Sequence, residues 1–204
     1  MIVIALLGEI GSGKSFISKQ FGYPVFNADD EVNRIYRNNI NCFKKLKKKL
    51  PKYINKYPID KNKLGKAILD NKNNLKKIVD TVHPIVRGKM KNFLKKNKKK
   101  RMVILDIPLL IENKLNSKKH ILIFIDAKKS DINLRLKERL NYNRKLVSRF
   151  RKLQKPLSLK KKMSNYVIKN NFNVLTVKKR VKLIKYKIIN ERNSTWYRNN
   201  RPIR

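Results

Sequence analysis

Residues 8–15, GEIGSGKS, narrow what this chain can fold into more than any other segment. Gly8, Gly13, Lys14 and Ser15 fill the pattern G-x-x-x-x-G-K-[ST], the Walker A phosphate loop. The flanks fit the motif. Residues 2–7 are an unbroken aliphatic run of buried-strand length, and residues 16–21 continue in a helix-compatible way. Gly8, Gly11 and Gly13 let the backbone curl so that successive N–H groups converge on a phosphate, and the following helix adds the positive end of its dipole. In this chemistry Lys14 reaches the β- and γ-phosphates and the Ser15 hydroxyl holds Mg²⁺. The expected nucleotide-binding set is Gly8, Gly11, Ser12, Gly13, Lys14, Ser15 and Phe16. A Gly-rich turn that binds nothing is the competing reading, and the complete pattern with correct flanks argues against it.

At 204 residues the chain has room for one α/β core and a small inserted subdomain. It carries no internal repeat and no Gly/Ser linker. The single cysteine, Cys42, cannot form an intramolecular disulfide, which suits a reducing cytoplasm, and it is expected to be a small buried apolar residue. No basic region precedes the apolar start, so it does not resemble a signal peptide. No apolar run approaches the roughly 20 residues a bilayer requires. A cytoplasmic protein without membrane contact is expected.

Lys and Arg number 54 against 13 Asp and Glu, a net charge of +41. Such a charge invites a nucleic-acid reading, because phosphate contacts dominate that kind of binding. The lysines, however, are spread through nearly every segment and come with many Asn and Ile residues, as in an AT-rich coding sequence. A dedicated face would be concentrated, with aromatics interleaved for stacking. No specific nucleic-acid partner is therefore expected, although weak binding at low salt is.

Residues 23–26 are β-prone and end in Asn27-Ala28-Asp29-Asp30. Asp29 or Asp30 fits as cap of the amphipathic segment 32–36. Asp29 also fits a second role: an acid just after the second strand of a doubly wound sheet lies near the γ-phosphate, as general base for an acceptor hydroxyl or as an indirect Mg²⁺ ligand. Residues 41–56 are Lys-rich, and the pattern predicts a helix there around Phe43, Leu46 and Leu50 until Pro51 breaks it, a second around Leu64, Ala67 and Ile68 with Asp60 as cap, and a longer one from Leu75 to Phe93. Pro84 should start or kink a helix there and leave His83 at the irregularity. This helical stretch exceeds what a crossover needs and is the natural place for a substrate-holding subdomain.

A buried strand is expected over 102–107, with Asp106 near its carboxyl end as either a Walker B-like acid or a structural one; Glu112 beyond it reads alone as an exposed acid. Another strand covers 121–125. A helix over 131–140 would place Arg135 and Arg139 on one face, to clamp transferred phosphate or simply to be solvated. Arg144, Arg149 and Arg151, up to Gln154 and Pro156, suit a lid that closes over ATP and excludes water. A short strand at 166–168, polar residues 169–173, a closing helix over 174–189 and a basic, partly ordered tail at 191–204 containing Trp196 and Tyr197 complete the reading.

Taken together, GEIGSGKS at 8–15, FNADD at 26–30, VHPIVR at 82–87, LDIPLLIEN at 105–113, the Arg135/Arg139 helix and SNYVIKNN at 164–171 resemble the dephospho-coenzyme A kinase family, in its order and spacing to about residue 190. The resemblance implies an α/β P-loop NTPase fold, a parallel sheet flanked by helices as in nucleoside monophosphate kinases. It implies a core of 1–37, 101–135 and 164–190, a helical coenzyme A-binding part of about 38–100 and a lid of about 136–163. The implied reaction moves the γ-phosphoryl group of ATP, with Mg²⁺, to the ribose 3′-hydroxyl of dephospho-coenzyme A. Asp29 would be the base or hydroxyl-orienting acid, Arg139 the lid arginine, and His83 and Asp106 part of the substrate site. Four positions depart from the family. Asn27 replaces the usual first Asp, Phe16 a common Thr, and Asn165 and Lys169 acids that flank the last strand. The rival readings are another small-molecule P-loop kinase, acting on nucleoside monophosphates or shikimate, and a basic nucleic-acid-binding protein.

Overall fold

A computed structural model describes residues 1–139 and 142–193. Five strands form one parallel sheet: β1 (Ile2–Gly8), β2 (Val25–Asn27), β3 (Met102–Asp106), β4 (Ile121–Ala127) and β5 (Tyr166–Asn170), in the order β2-β3-β1-β4-β5. The near-continuous apolar runs of β1, β3 and β4 are what a sheet covered on both faces requires. Successive side chains of β1 go to opposite layers. Ile4 and Leu6 pack with Ile17 of α1 (Lys14–Gln20), with Phe21 just past its end, and with Val177, Val181 and Ile188 of α9 (Val174–Asn193). Ala5 and Leu7 join the other layer, built from α2 (Ala28–Asn38), α3 (Ile40–Lys49), α4 (Lys61–Asp70) and α5 (Lys72–Lys96). Between β4 and β5 lie α6 (Lys129–Lys137), α7 (Arg144–Leu153) and α8 (Leu157–Lys162). Helix α7 rests on α4, where Gly65 leaves room for Leu146: a Cβ on Gly65 would stand 3.1 Å from the leucine Cδ1.

Because β1 lies between strands reached in opposite directions, the carboxyl edge above it is the crevice where doubly wound sheets bind ligands. Register brings the relevant residues to that edge. Asn27 pairs with Asp106, Gly8 with Ile125 and Ala127 with Asn170.

Several boundaries differ from the sequence reading. Asn27, not Asp29 or Asp30, caps α2: its side-chain oxygen accepts the Asp30 N–H at 2.9 Å. The same device starts α3, α5 and α7 from Asn39, Asn71 and Asn143, and α4 from Asp60, each cap being worth about 1 kcal/mol. Helix α3 ends at Lys49 with Leu50 as its cap, directly before Pro51, as expected. Pro84 does not start a helix, since α5 runs on through it. An interior proline costs about 3 kcal/mol. Here Ile78, Val82, Val86 and Met90 are buried on both sides of it, and each such side chain contributes about 1.5–3 kcal/mol, so the stripe outweighs the proline. Strand β5 continues two residues past Ile168, to Asn170. Cys42 is fully buried, as expected. Leu140 and the tail residues 194–204, with Trp196 and Tyr197, lie outside the described residues.

Candidate active site

The loop between β1 and α1 is braced from behind. Gly13 caps α1 with a left-handed φ of 88°, and a Cβ there would fall 2.4 Å from the Asn170 amide nitrogen. That nitrogen donates to the Ser12 carbonyl at 2.8 Å, so the end of β5 holds the loop's turn. At Gly8 a Cβ would meet the Ile125 carbonyl at 2.8 Å, which closes that position to any side chain. Lys14 folds back over the loop and donates to the Gly8 carbonyl at 3.2 Å and the Glu9 carbonyl at 2.8 Å. Burial pulls its pKa down to about 8, against the opposing pull of Asp106. The ammonium thus rests on two neutral acceptors that an anion would outcompete.

Asp106 ends β3 almost fully buried, and its Oδ2 accepts the Asn27 amide at 2.7 Å. The same Asn27 nitrogen lies 3.4 Å from the Ser15 hydroxyl. Asn27 therefore works in two directions, its oxygen on the helix and its nitrogen on Asp106. Burial pushes the Asp106 pKa up, while hydrogen bonds from Ser15 and Asn27 and the charge of Lys14 oppose it. Replacing Asn27 with alanine removes a cap and leaves a buried carboxylate short of a donor. A loss of about 1–3 kcal/mol is expected in urea denaturation, with an unchanged midpoint as the contrary result.

Asp29 sits in the first turn of α2, and Asn27's capping leaves its carboxylate free for other work. The side chain opens to solvent at the mouth of the cleft but has protein on its other sides, and desolvation, then Asp106, raises its pKa. Asp29 lines a cleft of about 480 Å³ together with Gly11, Gly13, Lys14, Ser15, Phe16, Asp106 and Arg139. Of the expected nucleotide-binding set, Gly8 and Ser12 stay behind the loop wall, and the others face the cleft. His83 is elsewhere. It lines a second, mostly apolar cavity of about 390 Å³ with Arg87, Val82 and Phe150. The two cavities share Ile10, Asp29 and Pro108. Burial and then Arg87 lower the His83 pKa, which keeps the ring neutral near pH 7.

The expected pairing of Arg135 and Arg139 on one helical face does not occur. Helix α6 ends at Lys137, and the Arg139 N–H closes a tighter turn on the Leu136 carbonyl. Both arginines still reach the cleft, but differently employed: Arg135 stacks over the Phe172 ring at 4.8 Å, while Arg139 stands in the turn beyond. Glu112 is not the exposed acid that its position in the sequence suggested. Its side chain is 11% exposed and pairs at 2.7 Å with Lys160, itself 1% exposed. Lys160, Asn170 and Phe172 were not singled out from the sequence. The usable signal for Asn170 was the strand register, which local polarity at Lys169 and Asn170 hid. Asn165 begins the β4–β5 ladder, exchanging bonds of 2.8 and 2.9 Å with Leu122.

A parallel sheet of this order, with a Walker A loop, two acids and cationic side chains around one cleft, defines a P-loop kinase. Solved structures agree with that class. A Thermus thermophilus protein matches with a TM-score of 0.74 at 26% identity, over 93% of this chain and 97% of that one. In fold alone, a dephospho-CoA kinase from Campylobacter jejuni matches with a TM-score of 0.63 at 20% identity, over 94% and 98% of the two chains. The model of the dephospho-CoA kinase family matches residues 2–176. A dephospho-CoA kinase of the Wolbachia of Brugia malayi is 34% identical over 172 residues, covering 82% of this chain and 88% of its own. One from Geobacillus kaustophilus is 34% identical over 181 residues, covering 83% and 88%. The chain belongs to the dephospho-CoA kinase family, the kinases that use ATP to complete coenzyme A.

Proposed function

We propose that this chain transfers the γ-phosphoryl group of ATP to the ribose 3′-hydroxyl of dephospho-coenzyme A with Asp29 at the point of transfer. The observation that carries the reading is that Asp29 belongs to both cavities. One holds the phosphate loop; the other is mostly apolar and suits the acceptor. An acceptor hydroxyl between them would meet Asp29 as the base or orienting group, with His83 and Arg87 on the acceptor side. Lys14 leaves its carbonyl partners for the β- and γ-phosphates, and Arg139 neutralises charge from the opposite wall. Ser15 and Asp106 offer the hard oxygen donors that Mg²⁺ takes, and the ion would supply further charge neutralisation on the phosphates. Residues 1–37, 101–135 and 164–190 act as the core, about 38–100 as the acceptor-binding part and about 136–163 as the lid.

Incubation of purified protein with ATP, Mg²⁺ and dephospho-coenzyme A should yield coenzyme A by mass spectrometry. Folded, ATP-binding protein that makes none, but phosphorylates a nucleoside monophosphate or shikimate, would replace this acceptor with another. We assign the chain no specific nucleic-acid partner, since its basic residues are dispersed; binding to DNA should fall steeply with salt and be insensitive to Lys14. Among the described residues no helix is long and apolar enough to cross a membrane, and a cytoplasmic site of action fits the buried, unpaired Cys42.

The lowered pKa of Lys14 has a kinetic consequence. Below about 8 its ammonium is present in the free enzyme, and above that value it is lost. The kcat/KM for ATP should therefore decline on the alkaline side of about pH 8, whereas kcat, which reports the ATP-bound state, should hold to higher pH because bound phosphate restores the lysine's charge. A kcat/KM profile flat through about pH 9 would contradict this assignment of Lys14.

A further inference from the structure

The segment from Arg151 to Lys161 is tied to the carboxyl ends of β1 and β4 and to the chain that follows β3. Arg151 pairs with Glu9 of the phosphate loop at 2.8 Å. Gln154 donates to the Gly8 carbonyl at 3.4 Å, the same oxygen that accepts Lys14. The Lys155 N–H and the Lys160 ammonium both end on Glu112 Oε1, at 2.8 and 2.7 Å. Lys161 pairs with Asp126 at the end of β4, at 2.9 Å. Exposed links such as Lys161 to Asp126 contribute little. The Glu112–Lys160 pair is different, because both groups are withdrawn from water and the second carboxylate oxygen, Glu112 Oε2, is buried with no partner.

A buried ion pair is a poor stabilising device: apolar groups of similar size usually serve as well or better. What it does well is define one arrangement, since each charge has a single acceptable place. We infer that Glu112 and Lys160 are positioning residues, a buried latch that seats the 151–161 strap on the phosphate loop and so sets Lys14 for phosphoryl transfer. Lys160 does not line the cleft, so it acts through the loop. The charge of Lys160 also bears on Lys14, helping to lower its pKa. The inference rests on Lys14 serving the transferred phosphate.

The test compares Glu112→Gln, Lys160→Met, the double variant and Lys160→Arg in the full chain, by thermal melting and by steady-state kinetics with ATP and dephospho-coenzyme A. Each neutralising single variant strands a buried charge and should lose both stability and turnover. The double variant removes both charges, so its melting temperature should return to within about 4 °C of wild type. Its kcat should stay about 10²-fold low, as a displaced loop would give, with KM for ATP raised and KM for dephospho-coenzyme A unchanged. Lys160→Arg keeps the pair and should restore most turnover. Recovery of kcat together with melting temperature in the double variant would overturn the inference, reducing the pair to structure. So would wild-type kcat in all four variants. If a single variant fails to fold, the double and Lys160→Arg still decide. Lys14→Ala, run alongside, separates the two levels: an active Lys14→Ala refutes the role of Lys14 itself, while an inactive one with an active double variant refutes only the latch.

Discussion

Replacing Lys14 with alanine is expected to lower kcat by about 10³-fold or more, since one removed charge-stabilising donor costs 10²–10³-fold and the role proposed for this one sets it against the group being transferred. The fold should survive. Lys14 is a buried ammonium whose pKa is pulled from 10.5 to about 8 by burial, so at neutral pH its charge works against stability. The sign follows from proton counting. Between about 8 and 10.5 the unfolded chain holds the lysine proton and the folded chain has lost it, so stability rises with pH across that window. Deleting the side chain removes this penalty but also a counter-charge of Asp106, and the melting temperature should move by no more than about 4 °C. Near-normal turnover of a folded Lys14→Ala protein would sink the phosphate-loop assignment.

Asp29→Asn is expected to lower kcat by about 10²-fold or more, the usual contribution of a general base, while ATP binding measured by calorimetry stays near wild type. The structure makes this a clean substitution. Had Asp29 capped α2, the change would have mixed a helix effect with a chemical one; Asn27 holds the cap instead. The raised pKa of Asp29 comes from desolvation and then from Asp106. A carboxyl whose folded pKa lies above its unfolded value loses stability as pH rises through that interval. The amide should therefore leave the protein as stable at pH 7 as the wild type, or slightly more so. A variant that turns over normally yet melts early would return Asp29 to a structural role.

The other two expectations drawn from single residues are smaller in effect but probe different parts of the site. Asn27→Ala tests whether one amide serves both α2 and Asp106. The alkaline limb of kcat/KM tests the charge state of Lys14 in the free enzyme.

Much of this architecture was legible in local pattern. The aliphatic runs of β1, β3 and β4 have the length and make-up of covered strands, and GEIGSGKS between a strand and a helix has the pattern of a phosphate loop. Lys14, Ser15, Asp29, Asp106 and Arg139 line one cleft; the residues alone had left Asp29 as a helix cap, Asp106 as a structural acid and Arg139 as a solvated arginine open, and only the resemblance to the family grouped them. Where expectation and structure part, packing or pairing with other segments overruled a local preference at Pro84 and β5, and a local turn did so at Arg139. Pro84 was expected to start or kink a helix, but α5 runs through it with its stripe buried on both sides. Polar Lys169 and Asn170 hid the last residues of β5, which pairing with β4 extends. Arg139 fell outside its helix because the chain tightens after Lys137.

What the order of residues decided alone was the phosphate loop and the apolar strands beside it, because backbone curl at glycine and an unbroken aliphatic run are set by residues a few positions apart; the reaction came from the resemblance to the family. What waited for tertiary structure was the choice among chemically equal residues. Nothing local distinguishes Lys160 from the lysines beside it, or marks Glu112 as buried, or tells Asn27 to cap and Asp29 to stay free. Desolvation and hydrogen-bond partners make those distinctions, and both exist only once segments far apart in the chain are packed together.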